Sequence, residues 1–228
     1  MIDPFSAPLP IPPGHLITCD YLEHRDLLEL ERAAAYPEIW QHMVRDASTP
    51  MTFKSYSEEL LALRSQRREI PFVIRKDGAA IGVCKLMQID VQQERLSMGG
   101  TWITPSAWGT GVNTDVRRII FSFAFDVIEA NRVEIRVYHD NPRNLAALEK
   151  IGAVYEGMLR EHFIDRNNRR RDVAVFSVLK REWAAVSKRL LARLSSQLGG
   201  APVPLVPVLS TRGKPVQSSE EQGIGREG

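Results

Sequence analysis

Hydrophobic positions along this chain switch several times between a helical and an alternating spacing, and the switches divide it into elements. Leu27, Leu30 and Ala34 recur at helical intervals and predict an amphipathic helix over 26–36, with another over 57–68. A short apolar stretch over 16–22 reads as a strand ahead of them. Three apolar runs follow, over 71–75, 79–89 and 96–103, and Asp77-Gly78 between the first two is a hairpin turn signal. Val116, Ile119, Ile120, Phe123 and Val127 return to helical spacing and predict a helix over 114–131 with one face on a sheet. The remainder reads as a strand over 133–138, a helix over 145–151 stopped by Gly152, strands over 154–163 and 173–179 flanking a polar turn, and a last helix from 181 to about 194. No internal repeat interrupts this order.

Both ends lack such a pattern. Pro4, Pro8, Pro10, Pro12 and Pro13 forbid helix or central strand over 1–14, which reads as an extended lead-in. Residues 196–228 are rich in Gly and Pro and then polar, a composition that predicts a disordered tail. One domain over 15–195 is therefore expected, in keeping with 228 residues of which 43% are hydrophobic and 25% charged. A net charge of +2 gives no broad field for nucleic acid or membrane, so neither partner is expected. Arg166 to Arg171 is the one basic cluster, and without interleaved aromatics it reads as a solvated turn. Cys19 and Cys84 form no C-x-x-C pair and have no histidine at ligand spacing, so free thiols are expected and no metal. The N-terminal residues have no basic and apolar leader pattern, and the expected location is cytoplasmic.

Chemistry is signalled where a strand runs into a helix through Trp108-Gly109-Thr110-Gly111-Val112-Asn113-Thr114. Two glycines let the chain curl so that successive N–H groups point one way, and the helix behind adds its positive end: a cradle for phosphate. Thr114 stands where a dinucleotide fingerprint would want a third glycine, and the Gly-Lys-Ser/Thr of a P-loop is missing. About thirty residues later a second strand ends in Asp140-Asn141-Pro142-Arg143-Asn144.

Taken with Asn131-Arg132-Val133-Glu134, Glu149-Lys150-Ile151-Gly152-Ala153 and Glu156-Gly157-Met158-Leu159-Arg160, this run resembles the GCN5-related N-acetyltransferases (GNAT), in particular the RimJ/RimL-like branch that acetylates ribosomal-protein N-termini. The resemblance spans roughly residues 15–185. It implies an α/β (α+β) fold with a mixed, largely antiparallel central sheet flanked by helices. It also implies acetyl-CoA as co-substrate, its pyrophosphate on Trp108, Gly109, Thr110, Gly111, Val112, Asn113 and Thr114. A bulge at Gly99-Gly100 would open a gap between strands for the pantetheine arm, with Ile103 and Thr104 offering backbone groups to it. Asn141 matches an asparagine that binds the arm. Asn144 stands where the branch usually has a serine near the sulfur, and Leu148 where other members have a tyrosine acid.

A neutral amine attacking a thioester must lose a proton, and the candidate acceptors are Glu161 and His162. With strand period two, only one of these neighbours can face the cleft. The branch's glutamate falls on Phe163, and Glu134 and His139 are more distant alternatives. Holding amine and thioester together supplies rate even without a base. The sequence thus predicts direct transfer of acetyl to a primary amine, on a protein N-terminus or a small molecule, in a ternary complex. A non-catalytic acyl-CoA-binding module of the same fold is the alternative.

Overall fold

The computed structural model describes residues 1–199. Seven strands make one sheet: β1 (Thr18–Tyr21), β2 (Ile70–Lys76), β3 (Ala79–Asp90), β4 (Arg95–Ile103), β5 (Arg132–Tyr138), β6 (Val154–Ile164) and β7 (Arg170–Leu179), in spatial order β1-β2-β3-β4-β5-β7-β6. Every neighbouring pair is antiparallel except β4 and β5. The helices are α1 (Leu27–Ala34), α2 (Pro50–Ser65), α3 (Val112–Ser122), α4 (Pro142–Ile151) and α5 (Trp183–Gln197).

Strand alternation divides the core between the two faces of the sheet. Val73, Val83 and Trp102 point to one side, where they pack with Trp40, Phe53 and Leu30 beneath α1 and α2. Phe72, Ile74 and Ile103 point to the other, against Val116, Ile119 and Ile120 of α3 and Val186 and Leu190 of α5. Burial of an apolar side chain of this size contributes about 1.5–3 kcal/mol, so each face holds its helices by several such side chains.

Element boundaries moved where caps or tertiary contacts overrode periodicity. The helix expected over 57–68 begins at Pro50, because Thr49 caps it by accepting from the Thr52 N–H at 3.3 Å and Pro50 suits the first turn. The helix expected over 114–131 leaves α geometry after Ser122, continues as a π turn over Phe123–Val127, and is ended by Glu129 at φ 57°. A 3-10 turn over Pro37–His42, absent from the sequence reading, delivers the buried Trp40.

No helix or strand forms in residues 1–14, yet the segment lies on the core. Met1, Phe5, Leu9 and Ile11 pack against it, and Leu9 exchanges two hydrogen bonds with the Tyr21 hydroxyl. At the other end α5 continues to Gln197, two residues past the expected domain boundary. The expected disordered tail lies, from residue 200 on, outside the described residues. Cys19 and Cys84 are free and buried. No helix among the described residues is long and apolar enough to cross a membrane.

Candidate active site

The parallel pair β4–β5 is short. It runs from Arg95↔Arg132 to Met98↔Ile135, and beyond Met98 the two strands no longer pair. The cause lies in β4. Val83 opposes Trp102 and Lys85 opposes Gly99, so Gly100 and Thr101 together face Cys84 in a bulge. Gly100 takes φ 57°, a conformation that favours glycine, and a Cβ there would stand 2.4 Å from Lys85 Cε, so the lysine end would have to shift. A cavity of about 790 Å³ occupies the resulting gap, a size suited to a cofactor or substrate.

On one side of this cleft stands the glycine turn. Gly109 and Gly111 adopt φ 79° and 90°, and Gly111 caps α3. The N–H groups of Gly109, Thr110, Gly111, Val112 and Asn113 have no protein acceptor among the described residues, so five consecutive donors stand free at the start of an 11-residue helix. That fits an anion such as a pyrophosphate. Asn113, the unusual residue of the turn, lies already inside α3 and needs no positive φ. Trp108, 39% exposed, anchors the turn by donating its indole N–H to the Ile103 carbonyl at 3.0 Å.

Some polar groups at three expected contacts already have partners. Thr104 spends its N–H on the Ile81 carbonyl at 2.8 Å, and the Ile103 carbonyl is taken by Trp108, so these groups are closed to a ligand. Thr114 is likewise engaged, its N–H by the Gly111 carbonyl and its hydroxyl by Gln197 Oε1 at 2.9 Å. The backbone without a β5 partner begins at Gly99, because pairing with β5 stops at Met98.

Asn141 and Asn144 both line the cavity from the start of α4. Asn141 Oδ1 caps the helix by accepting the Asn144 N–H at 3.2 Å, which leaves the Asn141 amide NH₂ for the cleft. Leu148 is fully buried and carries no proton.

The other side of the cleft is built by side chains from distant elements: Tyr56 and Glu59 of α2, Lys85 of β3, Arg136 and Tyr138 of β5, and His162 of β6. The carboxylates here are already paired, Glu59 with Arg45 at 2.8 Å and Glu69 with Lys85 at 2.7 Å. Tyr56, buried, accepts from the Trp102 indole at 2.9 Å, and burial pushes its hydroxyl well above the usual phenol range. The Tyr138 hydroxyl is buried with no hydrogen-bond partner, against Arg171 and Phe163. Sequence reasoning missed Tyr56, Arg117 and Tyr138. Their only signal was an interruption of apolar spacing by a polar tip.

Strand alternation breaks between Leu159↔Val173 and Phe163↔Arg171, where Arg160, Glu161 and His162 oppose Asp172 alone. Glu161 sits at φ 51° with its N–H on Asp172 Oδ1 at 2.8 Å, and its carboxylate turns outward toward Arg170 at 3.7 Å. His162 and Phe163 both line the cavity as a result. His162 Nε2 lies 3.2 Å from Arg136 Nη1. A guanidinium only donates, so in this contact His162 Nε2 is the acceptor. Arg136 is held in turn by Glu134 at 2.7 Å. His139 gives its N–H to the Asp172 carbonyl and is not part of the cavity wall.

The arginines of the basic turn are paired with carboxylates inside and outside it. Arg169 and Arg171 converge on Asp165, Arg166 reaches Asp46, and Arg171 also reaches Asp140. Burial pushes the Asp165 carboxyl up, but hydrogen bonds from Arg169 and Arg171 outweigh it and hold the carboxyl far below the usual range.

A family described as the acetyltransferase (GNAT) domain matches residues 20–154. A Bacillus subtilis protein provisionally named ribosomal N-acetyltransferase YdaF is 35% identical over 107 residues, 47% of this chain and 57% of its own length. Among solved structures, Mycobacterium smegmatis RimJ in complex with CoA-disulfide has a TM-score of 0.67 at 22% identity, over 82% of this chain and 93% of that one. Spermidine N-acetyltransferase from Vibrio cholerae, in complex with CoA and spermine, has a TM-score of 0.64 at 21% identity, over 74% of this chain and 98% of that one.

Proposed function

The chain belongs to the GNAT acetyltransferase family, and from that premise we propose that it transfers acetyl from acetyl-CoA directly to a primary amine, with a protein N-terminus as acceptor. The observation that carries the proposal is the cleft between β4 and β5, with five unpartnered N–H groups at one side and His162 at the other. In this reading the pyrophosphate rests on the N–H groups of Gly109 to Asn113, and the Asn141 amide fixes the arm. Amine and thioester then meet at the gap without a covalent enzyme intermediate, and the rate comes in large part from their being held together.

His162 accepts the amine proton at Nε2, exchanging the Arg136 N–H for the amine N–H. Before the amine arrives, Arg136, tethered to Glu134, holds the ring by that contact. A backbone N–H in the bulge at 99–101 steadies the oxyanion.

A single terminal amine suits the acceptor side better than a polyamine. A polycation calls for unpaired carboxylates, and both Glu59 and Glu69 already carry a partner while Arg136 adds positive charge.

The test is a panel of amines with acetyl-CoA, following release of free thiol. Peptides with free N-termini should react, and the same peptides blocked at the N-terminus should not. Exclusive turnover of spermidine or spermine would overturn the acceptor assignment. Tight CoA binding with no turnover on any amine would favour the non-catalytic acyl-CoA-binding module instead.

A further inference from the structure

One buried cation in the cleft lacks a counter-ion. Arg117 lies one turn beyond Asn113 on the cavity face of α3 and is only 9% exposed. Its neighbour Arg118 pairs with Asp115 at 3.0 Å, but no carboxylate among the described residues pairs with Arg117. Among the described residues its one hydrogen bond runs from Nη2 to Asn144 Oδ1. The sealed polar side-chain atoms without a partner among the described residues are His15 Nε2 and Tyr138 Oη, so the remaining Arg117 nitrogens are not sealed off, and the residue lines the cavity. Burial, with the charge of Arg193 behind it, pushes the guanidinium down to about 10, which still leaves it cationic at neutral pH. A buried charge with no partner is costly to the fold, and its retention in a reaction cleft points to an anion that is met there.

The phosphates already have the free N–H groups at the head of α3. Arg117 is six residues past Gly111, about 9 Å further along the helix, and its side chain points toward Asn144 and the strand gap rather than back to the turn. An arm laid from the turn to the gap therefore passes Asn113 first and reaches Arg117 near its sulfur end. In the reaction the amine nitrogen bonds to the acyl carbon, the carbon–sulfur bond breaks, and its electron pair leaves on sulfur as a thiolate. The amine proton goes to His162. Leu148 offers no hydroxyl to that sulfur.

Resting on the acetyl-CoA reading above, we propose that Arg117, positioned by Asn144, is the catalytic residue that receives the leaving CoA thiolate. It donates an N–H to the sulfur as negative charge develops and releases CoA once the thiolate is protonated from solvent or by imidazolium.

The experiment titrates the thiol of CoA bound to the full chain by the ultraviolet absorbance of thiolate, with the apo protein subtracted to remove Cys19 and Cys84. An adjacent cation should let bound CoA ionise about 1 pH unit or more below free CoA. Arg117→Lys should keep much of that shift, Arg117→Met should lose it, and desulfo-CoA should bind both variants like the parent. Turnover of Arg117→Met should fall about 10²-fold with KM for acetyl-CoA little changed. Its apo melting temperature should rise by roughly 2–4 °C as an unpaired buried charge is removed. Identical thiol titration in parent and Arg117→Met would overturn the proposal while leaving the acetyl-CoA reading intact. A fall of many degrees in Arg117→Met would overturn it in favour of a structural role. A parent protein that does not bind CoA would overturn both.

Discussion

The two sides of the cleft are made in different ways. Toward the cofactor, the wall is a continuous piece of chain whose groups are mostly backbone: free N–H donors over 109–113, then one face of α3. Toward the acceptor, the wall is side chains brought from α2, β3, β5 and β6, held by ion pairs such as Lys85–Glu69 and Arg136–Glu134. Backbone donors recognise phosphate whatever side chains flank them, whereas a wall of side chains changes with each substitution. In the proposed reading, the first side fixes the reaction class and the second selects the amine.

The largest test of that contrast is Gly111→Val. At φ 90° a β-branched residue is strained, and its Cβ would stand 3.2 Å from both Leu16 Cδ1 and Leu194 Cδ1. Together these should cost about 2–5 kcal/mol and abolish the rise in melting temperature that acetyl-CoA confers on the parent. Gly109→Val is the sharper companion, since nothing lies within 4 Å of its Cβ position. It should lose the acetyl-CoA response with less damage to the fold.

Next in size is His162→Ala, which should lower kcat by about 10²–10⁴-fold and leave acetyl-CoA affinity unchanged, as read by steady-state kinetics and calorimetry. Glu161→Gln should match the parent, because its carboxylate faces Arg170 at the surface. A loss at Glu161 with none at His162 would reverse the assignment of the acceptor wall.

Asn141→Asp probes the cofactor side more gently. The carboxylate keeps the cap on α4, so the melting temperature should hold, but the amide donor is gone. Acetyl-CoA should bind about 10-fold more weakly, the value of a hydrogen bond of roughly 1.5 kcal/mol. An unchanged Kd would remove Asn141 from the cofactor wall.

Smallest is the effect of Glu156→Gln at the far end of the Arg132, Glu134, Arg136 series that ends at His162. Hydrogen bonds from Arg132 hold the Glu156 carboxyl down to about 2, from an ordinary 4.5. A depressed carboxyl stabilises the fold above its ordinary value and loses that contribution as pH falls toward 2. The pair is partly exposed, so the variant should cost roughly 0.2–1 kcal/mol at pH 7. In urea unfolding the gap to the parent should close between pH 4.5 and 2, with cofactor affinity unaltered throughout.

What the sequence determined by itself was whatever local chain chemistry specifies. Asp77-Gly78 turned β2 into β3, apolar spacing marked every strand, and Gly109 and Gly111 marked a tight positive-φ turn at the head of α3, because φ preference and side-chain period act over a few residues. Tertiary structure alone decided the rest. The pairing of β4 with β5 stops at Met98 beside a bulge against β3, which leaves the β4 backbone from Gly99 on without a β5 partner, while the Thr104 N–H and the Ile103 carbonyl are taken by Ile81 and Trp108. An extra stretch opposite Asp172 turns Glu161 out and brings both His162 and Phe163 in, against a strict alternation. Arg117 looked like an ordinary polar position on a helix, and only the tertiary structure left it buried beside Asn144 without a carboxylate among the described residues. Register, burial and charge pairing are relations between residues far apart in the chain, so no local pattern encodes them.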